Sequence, residues 1–63
     1  MNKFTLIQLL DRANISSLVY SDKVVFILDE VMHECFFDED NRVAAEELWD
    51  DGMTLDEYAA GRF

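Results

Sequence analysis

The stretch Lys23-Val-Val-Phe-Ile-Leu-Asp-Glu-Val-Met-His-Glu-Cys-Phe-Phe37 decides how this chain folds. Apolar residues recur in it at helical spacing: Val24, Leu28, Val31, Met32 and Cys35. Residues three and four positions apart share one face of a helix. We therefore predict a helix that begins after Ser17 or Ser21 and ends near Phe36.

The same region also has the composition of a β-hairpin. Its β-branched and aromatic residues favour strands, and Ser21-Asp22 lies between two such runs. Two-residue hairpin loops favour Asn-Gly or Asp-Gly, and neither glycine of this chain is near. A hairpin at about residues 17–28, followed by a shorter helix, is the alternative prediction.

Two short segments near the ends of the chain also have helical patterns. Residues 5–13 carry an amphipathic pattern, with Thr5 as the predicted N-cap and Gln8 three positions later. Thr54 and Glu57 have the same capping-box spacing before a last helical turn that Gly61 ends.

A further helix is predicted from Asp40, its N-cap, to Gly52, which suits the left-handed position after a helix end. Its apolar stripe would be Ala44, Ala45, Leu48 and Trp49. Together these segments predict a mainly α fold, a compact bundle of three or four short helices, in a single domain over residues 1–63. The hairpin alternative makes the fold α+β.

Charge is distributed very unevenly along the chain. Twelve of the fourteen carboxylates lie between Asp29 and Glu57, so the part from Asp29 onward carries about −10 and the part before it about +1. A surface of one sign of charge selects partners of the opposite sign. We therefore expect a basic protein as partner, with no direct binding to nucleic acid or to an anionic membrane.

Ten acids between residues 29 and 51 form the predicted partner-binding band. In a continuous helix they would lie about 3.5 Å apart on average, at a rise of about 1.5 Å per residue, close to the ~3.4 Å spacing of charges on a DNA strand. Phe37, with Phe26 as a second ring, is the predicted apolar anchor. The predicted partner-binding residues are Asp29, Glu30, Glu34, Phe37, Asp38, Glu39, Asp40, Glu46, Glu47, Asp50 and Asp51.

Catalytic and metal chemistry have little support in the sequence. With one cysteine and one histidine, the chain lacks the set of about four ligands that zinc requires. His33 and Cys35 would point apart on a helix. Counting from Asp38, residues 42, 43 and 49 do not fit a calcium loop. We predict no enzyme activity, no cofactor and no metal site.

In composition the chain resembles small acidic inhibitors that viruses make against host proteins that handle nucleic acid. The resemblance implies a protein-binding inhibitor that occupies a basic nucleic-acid-binding surface by mimicry. A self-associating adaptor or structural subunit, as a homodimer for instance, and an antitoxin-like neutraliser are the alternatives. The longest apolar run, residues 24–28, is far below the ~20 residues of a membrane span, and a cytoplasmic location is expected.

Overall fold

An antiparallel sheet of four strands, with a short helix against each face, makes up residues 1–61, the part of the chain that the computed structural model describes. The strands follow one another in the sheet as they do in the sequence, β1-β2-β3-β4. The elements are α1 (Lys3–Arg12), β1 (Ser17–Val19), β2 (Lys23–Leu28), β3 (Val31–Phe37), β4 (Val43–Trp49) and α2 (Leu55–Ala59).

The predicted helical bundle is wrong, and residues 23–37 show why. They form β2 and β3, joined by a turn at Asp29-Glu30. Both strands are central in the sheet, and helices cover both faces of the sheet. A strand buried on both faces is apolar at consecutive positions, so its residues also include pairs at helical spacing. The alternative hairpin is confirmed, since β1 pairs with β2, but the shorter helix expected after it is wrong.

The β2–β3 turn places Glu30 in a backbone conformation that glutamate rarely takes. Asp29 has φ of 52° and Glu30 has φ of 69°, the φ signs of a type I′ turn, where Asn-Gly is favoured. Register continues directly on either side, with Leu28 opposite Val31. The absence of glycine therefore does not prevent a two-residue hairpin; it makes the turn strained.

The predicted helix from Asp40 to Gly52 is also wrong, because residues 43–49 form β4. Alanine and glutamate are good helix formers, but such preferences are small for each residue, and pairing with β3 outweighs them. The hairpin turn before β4 is held by Asp38, whose carboxylate accepts hydrogen bonds from the Asp40 N–H (2.9 Å) and the Arg42 N–H (3.0 Å). The predicted buried stripe is largely exposed: Ala44, Ala45 and Leu48 face solvent, and Trp49 is half-buried.

Apolar side chains form one cluster on each face of the sheet. Beneath α1 lie Leu6, Leu10, Val24, Phe26, Cys35 and Phe37. Beneath α2 lie Val25, Met32 and Tyr58, with Trp49, Leu55 and other half-buried residues around them. Complete burial of one such side chain contributes about 1.5–3 kcal/mol. Both clusters centre on β2 and β3, which leaves β4 at the margin of the core.

The helix ends follow local capping rules. Asn2, rather than the predicted Thr5, caps α1 by accepting a hydrogen bond from the Phe4 N–H at 2.8 Å. Asn14, with φ of 57°, takes the left-handed position after α1. The predicted capping box of Thr54 and Glu57 is confirmed at the start of α2.

Candidate protein-binding surface

Nine of the ten predicted acids are exposed, and they surround the β4 side of the sheet. We call this group the acidic rim: Asp29, Glu30, Asp38, Glu39, Asp40, Glu46, Glu47, Asp50 and Asp51.

Strand pairing determines where the parts of the acidic rim lie. Because β3 and β4 are antiparallel and Met32 pairs with Trp49, the 29–30 turn and the 50–51 segment lie at the same end of the sheet. The 38–40 turn lies at the opposite end. Glu46 and Glu47 lie between the two ends and, as neighbours on one strand, point to opposite faces. The acids therefore extend along β4 from one end of the sheet to the other, on both of its faces.

The spacing of these charges differs from the helical prediction. β4 spans about 20 Å at ~3.3 Å per residue and carries only two carboxylates, Glu46 and Glu47. The other acids are grouped at its two ends. The predicted match to the charge spacing of a DNA strand is therefore wrong, because it assumed a helical rise through residues that form a strand.

An open cleft of about 340 Å³ lies at the 29–30 end of the acidic rim. Glu30 and Asp50 line it together with the apolar side chains of Ile27 and Met53. Thr54 and Gly52 complete the lining. This lining combines carboxylates with apolar walls, which suits the stem and charged head of a lysine or arginine side chain. Ile27 and Met53 were not predicted, because only the fold brings them beside the acids.

Glu46 contacts two residues that a helix would have kept apart. His33 and Cys35 lie two apart on β3 and so share the sheet face that α1 covers. The Glu46 carboxylate lies 3.3 Å from His33 Nδ1 and accepts a hydrogen bond from the Cys35 thiol at 3.4 Å. The His33 ring stacks on Phe26 at 4.9 Å. Burial and the hydrogen bond to Glu46 raise the pKa of Cys35 to about 12, so this thiol is a poor nucleophile.

Glu34, the tenth predicted acid, is buried rather than available to a partner. Its carboxylate accepts hydrogen bonds from Tyr58 Oη, Lys23 Nζ (3.1 Å) and Trp49 Nε1 (3.2 Å). Burial acts to raise the pKa of Glu34, but the hydrogen bonds from Tyr58, Lys23 and Trp49 outweigh burial and lower that pKa. The pKa of Lys23 is raised, mainly by its interaction with Tyr58 and also by Glu34. Glu34 therefore belongs to the structural core.

Phe37 and Phe26, the predicted apolar anchors, are also buried. Only 7% of Phe37 and 6% of Phe26 is exposed, both in the cluster beneath α1. Exposed apolar side chains are found elsewhere, including Leu48 on β4 at 59%. An exposed leucine in an edge strand has no distinct sequence pattern, so the sequence alone could not identify it.

Within residues 1–61, no group of three or more acidic, histidine or cysteine side chains is arranged to hold a metal ion. No helix in the same range is long and apolar enough to cross a membrane. Comparisons with protein-family models, curated proteins and solved structures found no match to this chain.

Proposed function

We propose that this chain is a stoichiometric protein-binding inhibitor that covers a basic, nucleic-acid-binding surface of another protein, as the acidic inhibitors of viruses do. The observation that carries the proposal is the acidic rim. Its nine exposed carboxylates lie along β4 and at the two ends of the sheet, and Arg42 is the only lysine or arginine between residues 29 and 61.

The cleft at Glu30 and Asp50 supports the same function. A lysine or arginine of the partner would lay its stem against Ile27 and Met53 and its charge between the two carboxylates. Such a contact would fix one basic side chain of the partner at a defined position, which the long-range attraction between the two charged surfaces does not do. Binding of this kind associates fast and weakens as salt increases.

The 29–30 turn offers further support. Glycine at position 30 would relieve the positive φ of Glu30, whereas the chain has a second carboxylate there, beside that of Asp29. Strain of this kind is concentrated at functional positions in proteins. The turn thus accepts a conformational cost and presents negative charge beside the cleft.

A pair of charge-reversed variants tests the proposal. The rim variant replaces Glu47, Asp50 and Asp51 with lysine, and the control replaces three exposed acids elsewhere: Asp11, Asp22 and Asp56. Each reversal adds two positive charges, so both variants change the net charge from −9 to about −3. Only the position of the charges differs between them.

The immobilised wild-type chain first captures a partner from nuclease-treated host extract. The captured protein is then purified and loaded with labelled DNA. We expect the wild type and the control to displace the DNA, with less displacement at higher salt, and the rim variant to fail. If both variants displace DNA equally, or if the captured protein binds no nucleic acid, the proposal is wrong. Capture of a basic toxin instead would identify the antitoxin-like alternative, which uses the same surface.

Self-association as an adaptor is a second candidate, favoured by exposed apolar side chains at the start and along the outside of α1. Phe4 is 59% exposed and Leu9 is 45% exposed. A protein this small gains stability from covering such residues. Light scattering of the wild type and of the Phe4→Ser/Leu9→Gln variant tests this candidate. A wild-type dimer that the variant dissociates would support it, and a monomeric wild type would exclude it.

A further inference from the structure

The edge of β4 is open along most of its length. Among residues 1–61, β3 is the only strand that pairs with it, and every residue from Val43 to Leu48 is exposed. Within the described part of the chain, the beginning of this outer edge is covered, where the Val43 N–H donates to the Met1 carbonyl at 3.2 Å. Residues 45–48 therefore present an edge that can accept another strand.

The opposite edge of the sheet is protected. β1 has only three residues, and the Lys3 ammonium donates to the carbonyls of Tyr20 and Ser21 just after it. Leu18 and Tyr20 pack with the cluster beneath α2. A strand that adds to this sheet will therefore add at β4.

Charge determines which strand can add there. Full overlap of residues 45–49 with the same residues of a second copy centres on Glu47 and places two Glu47 carboxylates directly opposite one another. Like charges opposite each other destabilise a strand pair, and two chains of net charge −9 repel overall. Charged residues of either sign on β4 would oppose pairing with a second copy. Because the residues here are acidic, they also attract a strand that carries basic residues.

We propose that an extended, basic segment of the partner adds to β4 as a fifth strand. Glu46 and Glu47 point to opposite faces, so the segment would carry two adjacent lysine or arginine residues, one for each carboxylate. Leu48, on the same face as Glu46, would pack against an apolar neighbour of these bases. The main-chain hydrogen bonds give affinity, and the alternating side chains give specificity. This inference rests on the proposed function and adds the mode of binding.

The probe is the octapeptide Thr-Val-Thr-Arg-Lys-Val-Thr-Val, titrated into the full chain. Its control has the same sequence and charge but carries N-methyl groups on alternate amides, which removes hydrogen bonds at one edge. We expect the methylated peptide to bind at least about tenfold more weakly. Amides within residues 45–48 that point away from β3 should exchange with solvent at least about tenfold more slowly in the complex. Glu46→Gln/Glu47→Gln should weaken binding more than Asp11→Asn/Asp22→Asn, which removes the same charge elsewhere.

Equal binding of both peptides, with no protection of these amides, would overturn strand addition. In that case the DNA-displacement assay would still decide the proposed function independently. Binding of neither peptide would also overturn strand addition. If the amides of residues 45–48 that point away from β3 are already protected in the free chain and the chain sediments as a dimer, a second copy occupies the edge and the inference is wrong.

Discussion

Glu34 and Glu47 are cross-strand neighbours whose substitution by glutamine should have different effects on stability. They pair directly between β3 and β4, yet Glu34 is buried among three donors and Glu47 is exposed. Replacing each in turn with glutamine removes one negative charge and preserves the size of the side chain. The pair therefore isolates the contribution of the buried hydrogen-bond network.

The expected cost of Glu34→Gln follows from the contacts of the carboxylate. Glu34 accepts from Tyr58, Lys23 and Trp49. Glutamine has one acceptor oxygen, and the Tyr58 hydroxyl can rotate to accept from its amide, so about one donor loses its partner. Each hydrogen bond to a charged group contributes about 1.5–3 kcal/mol, and breaking a buried ion pair costs about 3–5 kcal/mol. Because 24% of the Lys23 side chain is exposed, water offsets part of that loss.

We therefore expect Glu34→Gln to lower the free energy of unfolding by about 2 kcal/mol, which corresponds to about 8–16 °C in Tm for a domain of this size. Glu34→Ala should leave little folded protein, because small cores supply only about 3–5 kcal/mol in total. Glu47→Gln should have no effect, or stabilise slightly by relieving repulsion. Urea unfolding followed by the fluorescence of Trp49, the only tryptophan, measures all three.

The pH dependence provides a second test. The folded-state pKa of Glu34 is lowered, so its stabilisation is complete above the unfolded value of about 4.3 and is lost as pH falls through the folded value. The difference in stability between wild type and Glu34→Gln should therefore shrink below about pH 4. Equal stability of Glu34→Gln and Glu47→Gln at pH 7, or a difference that stays constant down to pH 2, would refute this account of the network.

Three further predictions concern local features. Asp29→Asn/Glu30→Gly should stabilise the fold by about 1–2 kcal/mol because both positions have positive φ. Asp29→Asn/Glu30→Gln removes the same charge and should stabilise less in urea unfolding. Equal stabilisation by the two variants would show that charge, and not backbone strain, is responsible. The Cys35 thiol, buried and with its pKa raised to about 12, should react with Ellman's reagent at pH 8 only after unfolding in urea, and rapid reaction of the folded chain would contradict that environment. Asn2→Ala should cost about 1 kcal/mol through loss of the α1 cap, while Thr5→Ala should be close to neutral by the same denaturation assay; the reverse order would restore Thr5 as the cap.

The sequence alone determined the features that depend on neighbours a few residues apart. The capping box at Thr54 and Glu57 needs only a helical turn, and it was predicted correctly. The concentration of negative charge after Asp29 can be counted without any fold. Even the hairpin of β1 and β2, the alternative prediction, joins segments that are close in the chain.

Only the tertiary structure decided which segments are strands and which acids are exposed. Residues 43–49 have helix-forming alanines and glutamates, and they become β4 because β3 offers hydrogen-bond partners. Glu34 has the same side chain as Glu46 and Glu47, but it is buried because donors 11, 15 and 24 positions away converge on it. Strand pairing and burial depend on such distant partners, and no local pattern of apolar or charged residues records them.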